Sequence, residues 1–296
     1  MKQAVLLLAH GAPESLDQID QYLLNVRGGR PLLPPVVEEI RRRYALIGGR
    51  SPLRELTERQ ARALETLLGV PVYVGMRNWT PYIREAIERM AAQGITHAVA
   101  ICMAPQYSNM SVGFYFRRTR EALVETGAPI EISWVESFHR HPLLVAAFAE
   151  RLRAVLNGRS LPVLFTAHSL PEKVLASGDR YDAEARATAE AVAADVRLAR
   201  WDFAYQSQGM TEEKWLGPTV ESRLDAYQQE GLKEIVLAPI GFVSDHVEIL
   251  YDVDILFRNY AAGRGITLRR PESLNDSPLF IRALAEVARE RLSCPV

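Results

Sequence analysis

Leu6-Leu7-Leu8-Ala9-His10-Gly11-Ala12-Pro13 and Leu164-Phe165-Thr166-Ala167-His168-Ser169-Leu170-Pro171 are two versions of one phrase, and their reading decides the fold. Each is a short apolar run that stops at a histidine and breaks into turn-forming residues, the pattern of a buried strand leaving a sheet. Working outward, helical periodicity alternates with further apolar runs. The first half reads as strand Ala4 to Ala9, helices Leu16 to Asn25, Pro35 to Tyr44 and Leu56 to Leu68, strand Val70 to Gly75, helix Pro81 to Gln93 and strand His97 to Met103. The second reads as strand Pro162 to Ala167, helix Ala183 to Asp195, strand Phe203 to Ser207, helix Pro218 to Glu230 and strand Glu234 to Pro239. Strands separated by helices need right-handed crossovers, which build a parallel sheet covered on both faces.

The fold class expected is therefore α/β, with two similar Rossmann-like halves, each a parallel sheet flanked by helices. Pro81 with Gly94 and Pro218 with Gly231 bracket helices of equal length at one constant offset, which strengthens the duplication. The division is expected between residues 1–150 and 151–296, with Pro142 to Leu161 as the join and a helical tail, Pro278 to Leu292, packing back across one half. In such sheets ligands gather at the carboxyl ends of the strands. His10 and His168 therefore point toward one functional edge.

Composition narrows the chemistry. The 296 residues are 48% hydrophobic with a formal charge of −1, and basic residues are scattered among a matching number of acids, so nucleic acid is not an expected partner. No apolar segment is long enough to span a membrane and the N-terminus enters a strand at once, so the expected location is the cytoplasm. Cys102 and Cys294 are too few for a disulfide framework, a four-cysteine zinc site or a protein-ligated iron–sulfur cluster. Metal chemistry would have to use nitrogen and oxygen ligands.

Three stretches carry that possibility. His168 at a strand end is suited to bind a metal or take a proton near neutral pH, and equally to hydrogen-bond a neighbouring carbonyl or cap a helix. In Gly241-Phe242-Val243-Ser244-Asp245-His246-Val247-Glu248-Ile249-Leu250-Tyr251-Asp252, a helix starting near Asp245 would stack Glu248 and Asp252 on one face. The same spacing also describes a capping box between Asp245 and Glu248. Because His168 and Glu248 both follow strands of the second half, imidazole and carboxylate can meet across a cleft and hold a divalent first-row metal. Arg27 and Arg30 on a glycine-loosened turn, and Arg41-Arg42-Arg43-Tyr44, offer guanidiniums to an anionic substrate, or a solvated basic face. Tyr107, Asn109, Tyr115 and Phe116 offer an aromatic wall or ordinary loop packing.

Taken together these motifs resemble the ferrochelatase family, which inserts ferrous iron into a porphyrin. The resemblance runs through Ile47-Gly48-Gly49, Ser51-Pro52-Leu53, Ala167-His168-Ser169-Leu170-Pro171, Tyr205-Gln206-Ser207-Gln208-Gly209, Trp215-Leu216-Gly217-Pro218 and Gly241 to Asp252. It implies a chelatase-like fold in which residues 1–150 carry porphyrin-binding loops and residues 151–296 carry the metal and catalytic pair, His168 and Glu248. Asp252 would continue an acidic track, while Arg27, Arg43, Tyr44, Ser51 and Tyr115, with Arg30 beside them, would hold the porphyrin. The soluble bacterial branch that uses coproporphyrin III is the most similar. Iron is then a substrate, no tightly bound cofactor or iron–sulfur cluster is expected, and the chain is expected to be a monomer. Two residues depart from that branch: His10 stands where a tyrosine ligand to iron is usual, and Leu256 where an acid is common. His10 is closer to the motif of cobalt and sirohydrochlorin chelatases. It is expected to ligate the metal from the face opposite His168. A protoporphyrin IX ferrochelatase, a cobalt or sirohydrochlorin-type chelatase, and a non-catalytic haem or metal carrier are the alternatives.

Overall fold

A computed structural model of the chain describes residues 2–209 and 213–292; Cys294 lies outside them. Within these residues the first half runs β1 (Gln3–Ala9), a 3₁₀ turn (Leu16–Gln18), α1 (Ile19–Val26), α2 (Pro34–Leu46), α3 (Leu53–Leu68), β2 (Val72–Met76), α4 (Ile83–Ala92), β3 (His97–Cys102), α5 (Val112–Thr126) and β4 (Glu131–Val135). α6 (Pro142–Leu156) leads to β5 (Val163–His168), α7 (Lys173–Ala176), α8 (Tyr181–Val196), β6 (Trp201–Gln206), α9 (Val220–Gln229) and β7 (Glu234–Pro239). The chain closes with α10 (Val247–Leu250), a π-helical turn (Asp252–Phe257), α11 (Arg258–Ala262), β8 (Thr267–Arg269) and α12 (Pro278–Leu292).

The two sheets are parallel and share one topology, β2-β1-β3-β4 and β6-β5-β7-β8, as the duplicated phrase predicts. Val5 stands beside Val99 and Phe165 beside Ala238 in the central pairs. Both central strands are flanked on each side, so they read as unbroken apolar runs, and Ala4 through Leu8 are fully buried. The helices bracketed by proline and glycine are α4 and α9. They begin two residues later than expected because the prolines sit in the turn, whose carbonyls accept from Met76 N–H (2.7 Å) and Tyr205 N–H (2.8 Å). Side chains then set the helix starts: Glu85 accepts from Tyr82 N–H at 2.7 Å, and the Thr219 hydroxyl accepts from Ser222 N–H at 3.2 Å.

Alternation along each central strand divides the core. Leu6 and Leu8 face the layer of α4 and α5, whereas Val5 and Leu7 enter a larger core that also takes Val163 and Phe165. The inner faces of both sheets thus share one apolar interior, filled by side chains of α3, α6, α8 and α12. Residues 150 and 151, where the sequence suggested the division, both lie inside α6. The C-terminal helix α12 does pack back onto the first half: Gln3 Nε2 donates to the Leu292 carbonyl and Arg289 Nη2 to the Leu67 carbonyl, each at 3.0 Å. Among the described residues no helix is long and apolar enough to cross a membrane.

Candidate active site

Loops leaving the carboxyl ends of both sheets meet around one cleft of about 280 Å³. From the first half come His10 after β1, Arg77 after β2 and Met103 after β3, with Tyr22, Tyr44 and Tyr115 from α1, α2 and α5. From the second half come His168 at the end of β5, and Gly241 through Ser244, His246 and Glu248 after β7. In the order β2-β1-β3-β4 the chain reverses direction of growth between β1 and β3, the place where a crevice opens in a sheet of this kind. Two glycines make the loop crossings feasible. A Cβ on Gly11 would lie 2.7 Å from Trp79 N at a φ of +82°, and one on Gly241 would lie 2.8 Å from the Ala167 Cβ.

His168 and Glu248 are brought together as the sequence suggested: Nε2 lies 3.8 Å from Oε1, each side chain about one-third exposed. The alternative reading of His168 is also realised, because its Nδ1 donates to the Ser169 carbonyl. That bond makes Nδ1 the donor and turns Nε2 toward the carboxylate. A separation of 3.8 Å is too long for a direct hydrogen bond. It suits a proton carrier or a metal ion set between two donors at bonds of about 2.1 Å. Among the described residues no set of three His, Cys, Asp or Glu is placed to hold a metal by protein ligands alone.

His246, unassigned by the sequence reading, completes the anionic wall. Its Nδ1 pairs with the Ser244 carbonyl at 2.9 Å and its Nε2 lies 3.7 Å from Glu248 Oε2. Burial opposes charge on His246, yet Glu248 more than offsets it and the pKa is raised. For Glu248 burial pushes upward, while His168 and His246 hold the carboxyl down at about 2. The carboxylate therefore stays ionised between two imidazoles.

The capping box is not formed. Asp245 accepts instead from Ser273 Oγ (2.7 Å) and Asn275 Nδ2 (2.9 Å), and pairs with Arg270 at 3.4 Å. Nor do Glu248 and Asp252 share one face of a continuous helix, a correction to the sequence reading. α10 ends at Leu250 and the π-helical turn starts at Asp252, so the wider turn redirects the second carboxylate. Asp252 opens on an adjoining cavity of about 340 Å³ with Arg43, Gln206, Ser207 and Leu256. The two residues are held by neighbouring side chains: Gln206 donates to the Glu248 backbone carbonyl (3.1 Å), and Ser207 donates to the Asp252 carboxylate. Burial, then repulsion from Glu248, raises Asp252 to about 6.

The opposite wall differs. His10 Nε2 lies 3.0 Å from Asn78 Nδ2, and burial followed by the charge of Arg77 lowers its pKa to about 3, so the ring is neutral. Tyr22 stands edge-on to His10, Tyr44 and Trp79. Of the expected porphyrin holders, Tyr44 and Tyr115 line the cleft and are buried. Ser51 does not line it: it is buried, with its N–H donating to the Pro13 carbonyl (3.2 Å) and its hydroxyl accepting from Leu53 N–H (3.3 Å), so it pins the loop before α3. Arg27 and Arg30 are exposed after α1, and Arg43 is tied to Glu39 at 3.0 Å and stacked on Tyr251. Of the other aromatic candidates, Tyr107 is held by loop contacts, its hydroxyl donating to Asn109 at 2.8 Å, while Phe116 packs on Trp134. The arginine in the cleft is Arg77, which the sequence reading missed. Its position directly after β2 was the available signal.

Comparisons with known proteins show the family and the fold. The ferrochelatase family model matches residues 2–292. A ferrochelatase of Acidobacterium capsulatum is 49% identical, with 98% of this chain and 95% of its own length aligned. A coproporphyrin III ferrochelatase of Geobacillus thermodenitrificans is 36% identical over 98% of this chain and 96% of its own. Among solved structures, the sirohydrochlorin chelatase SirB of Bacillus subtilis subspecies spizizenii in complex with cobalt superimposes with a TM-score of 0.62 at 12% identity, covering 100% of this chain and 97% of that one. At such identity the likeness is one of fold.

Proposed function

Because the chain belongs to the ferrochelatase family, we propose that it inserts ferrous iron into coproporphyrin III to give iron coproporphyrin III for haem biosynthesis. Membership of the family makes it a metal-chelating lyase whose substrates are a porphyrin and a metal ion, which removes the carrier alternative. The observation that carries the mechanistic reading is the convergence of His168 and Glu248 in one cleft opposite His10.

A flat porphyrin directs its nitrogen lone pairs inward, so insertion needs a puckered ring, and the distortion draws on binding energy from the ring's periphery. Two pyrrole protons must leave as iron enters. His168, with Nε2 free, takes a proton or meets the metal, and Glu248 supplies the negative charge that offsets the cation formed. Asp252, raised to about 6, is suited to pass protons onward to the adjoining cavity. His10, neutral on the other face, is the ligand proposed for the iron of the product, its Nε2 lone pair exchanging the Asn78 amide for the metal. No tightly bound cofactor takes part in this scheme, a monomer in the cytoplasm is its proposed form, and gel filtration and cell fractionation test both.

Relatives named coproporphyrin III ferrochelatases, at 36% and 37% identity over nearly the whole chain, support the choice of porphyrin. So do Arg27 and Arg30, exposed and free of ion pairs among the described residues. A steady-state assay with purified protein, ferrous iron, coproporphyrin III and protoporphyrin IX tests the reading. Faster multiple-turnover metallation of coproporphyrin III is expected. A preference for protoporphyrin IX, or for cobalt with sirohydrochlorin in a third arm, would overturn the specificity.

A further inference from the structure

Arg270 directly follows β8, and its side chain, only 12% exposed, reaches two carboxylates of one loop. Its Nε and Nη2 donate to Asp254 at 2.9 and 2.8 Å, and its Nη1 lies 3.4 Å from Asp245 Oδ1. Nη1 also donates to the Pro271 carbonyl at 3.1 Å and to the Ser273 hydroxyl at 3.3 Å. His246, Glu248 and Asp252 all lie between Asp245 and Asp254 in the chain. A single guanidinium therefore clasps both ends of the segment that builds the anionic wall.

In a continuous α-helix, at about 3.6 residues per turn, Asp245 and Asp254 would stand on opposite faces, out of reach of one guanidinium. α10 has only four residues before it gives way to the π-helical turn, too few to hold its own shape. The hold has to come from outside the segment. Neighbours of Arg270 add to it: Ser273 and Asn275 donate to the Asp245 carboxylate, Asn275 Oδ1 accepts the Asp245 N–H at 2.9 Å, and the Asn275 N–H donates to the Val243 carbonyl at 2.8 Å. From the first half, buried Gln60 donates to the Ser244 hydroxyl (2.8 Å) and to the Asn275 carbonyl (2.7 Å). Asp254 also pairs with exposed Arg258 at 3.3 Å. A largely buried carboxylate–guanidinium–carboxylate triad adds little net stability, and its best use is to fix one arrangement against others.

We propose that Arg270 is a positioning residue for metal insertion: by clasping Asp245 and Asp254 it holds the bent segment between them, and with it the placement of Glu248 against His168. The inference rests on the reading of His168 and Glu248 as the reacting pair. Arg270 lines neither the cleft nor the adjoining cavity, so it acts through the backbone of the loop it clasps. The 3.8 Å separation of His168 Nε2 and Glu248 Oε1 depends on where α10 begins. A misplacement of about 1 Å at such a contact costs on the order of 10²-fold in rate. Lysine keeps the charge, but its single nitrogen cannot hold Asp254 through two parallel bonds while reaching Asp245.

Stopped-flow metallation, porphyrin fluorescence quenching, thermal melts and amide hydrogen exchange test this together. Arg270→Met should lower kcat for iron insertion by about tenfold to a hundredfold, while the Kd for coproporphyrin III stays within roughly twofold, because the first-half wall is untouched. Arg270→Lys should recover most of the melting temperature lost in Arg270→Met without recovering the rate. In a Glu248→Gln background the Arg270→Met loss should shrink to less than about twofold, since it acts through Glu248. The amides of Ile249, Leu250 and Tyr251, bonded to the His246 and Val247 carbonyls, should exchange faster in Arg270→Met. If that variant does not fold, Asp254→Asn, which loosens the clasp while leaving Arg270 beside Asp245, decides by the same criteria. A kcat that returns with the melting temperature in Arg270→Lys, or a loss undiminished beside an impaired Glu248→Gln, overturns the assignment. Turnover that survives Glu248→Gln would sink the reacting pair and, with exchange still faster in Arg270→Met, leave the clasp standing; Glu248-dependent turnover with exchange and rate unaltered in Arg270→Met would do the reverse.

Discussion

The two walls of the cleft come off equivalent places in a repeated scaffold and have opposite chemistry. Each begins with a histidine where the first strand of a half ends, His10 after β1 and His168 in β5. His10 is neutral, beside an amide and a guanidinium, whereas His168 and His246 flank an ionised carboxylate. The strands do not make the difference; the insertions between them do. The first half places α1 and α2 after β1, and their tyrosines roof the cleft, while the second half has only short α7 before α8. After β7 the chain brings in His246 and Glu248, and no counterpart acid follows β3 in the cleft lining. On the proposed reading, one fold carries a binding wall and a proton or metal wall.

The hardest blow to this comparison falls on Glu248. Glu248→Gln should lower kcat for iron insertion by about 10³-fold and His168→Ala by about 10²- to 10³-fold, the range for a lost acid–base group. His10→Ala should cost less than about tenfold while changing the absorption spectrum of the product complex, since its proposed role is on the finished metalloporphyrin. Stopped-flow metallation and visible spectra of the complexes check this. Equal losses at His10 and His168, or an unchanged spectrum without His10, would erase the distinction between the walls.

The scaffold beneath that contrast was legible in the sequence because burial on both faces leaves unbroken apolar runs, and proline and glycine mark helix ends. Those signals are local. β8, only Thr267–Arg269, is too short for a pattern, and the helical form of Pro142 to Leu156 was masked by its role as a connection. His168 and Glu248 could be paired because both lie beside strand ends of one sheet. The break between Glu248 and Asp252 could not be seen, since a π-helical turn leaves the i, i+4 spacing unaltered in the sequence while turning the second side chain elsewhere. Arg77 escaped notice for a related reason: the basic runs at Arg41 to Arg43 attract attention, yet a lone arginine without an acid partner is the one left facing the cleft.

A sharper probe of the common scaffold uses the two crossing glycines. Gly11→Ala combines a positive φ with a 2.7 Å approach to a backbone nitrogen, and should cost about 3 kcal/mol. Gly241→Ala meets the Ala167 Cβ and Cα at 2.8 and 2.9 Å without a positive φ, so it should cost about 2 kcal/mol. Urea unfolding of both variants measures the order. If Gly241→Ala proves the more damaging, the second-half crossing is the stiffer of the two.

The smallest expected effect separates the walls by the sign of their pH dependence. His10 is held near 3 in the folded protein, below its unfolded value of 6.5, so the unfolded chain binds more protons and stability falls as pH drops from 6.5 toward 3. Asp252 is raised from 3.8 to about 6, so its contribution is full below 3.8 and is lost as pH rises through 6. Asp252→Asn should therefore stabilise the protein by about 2 kcal/mol above pH 6 and by little near pH 4, because the amide still accepts from Ser207 without charge repulsion from Glu248. His10→Gln should flatten the acid-side fall instead. Denaturant midpoints between pH 4 and 8 read both slopes. If Asp252→Asn destabilises at pH 7, the carboxylate is held by a favourable partner there, and the acid beyond Glu248 is a binding group in its own right and not a proton acceptor kept at a cost.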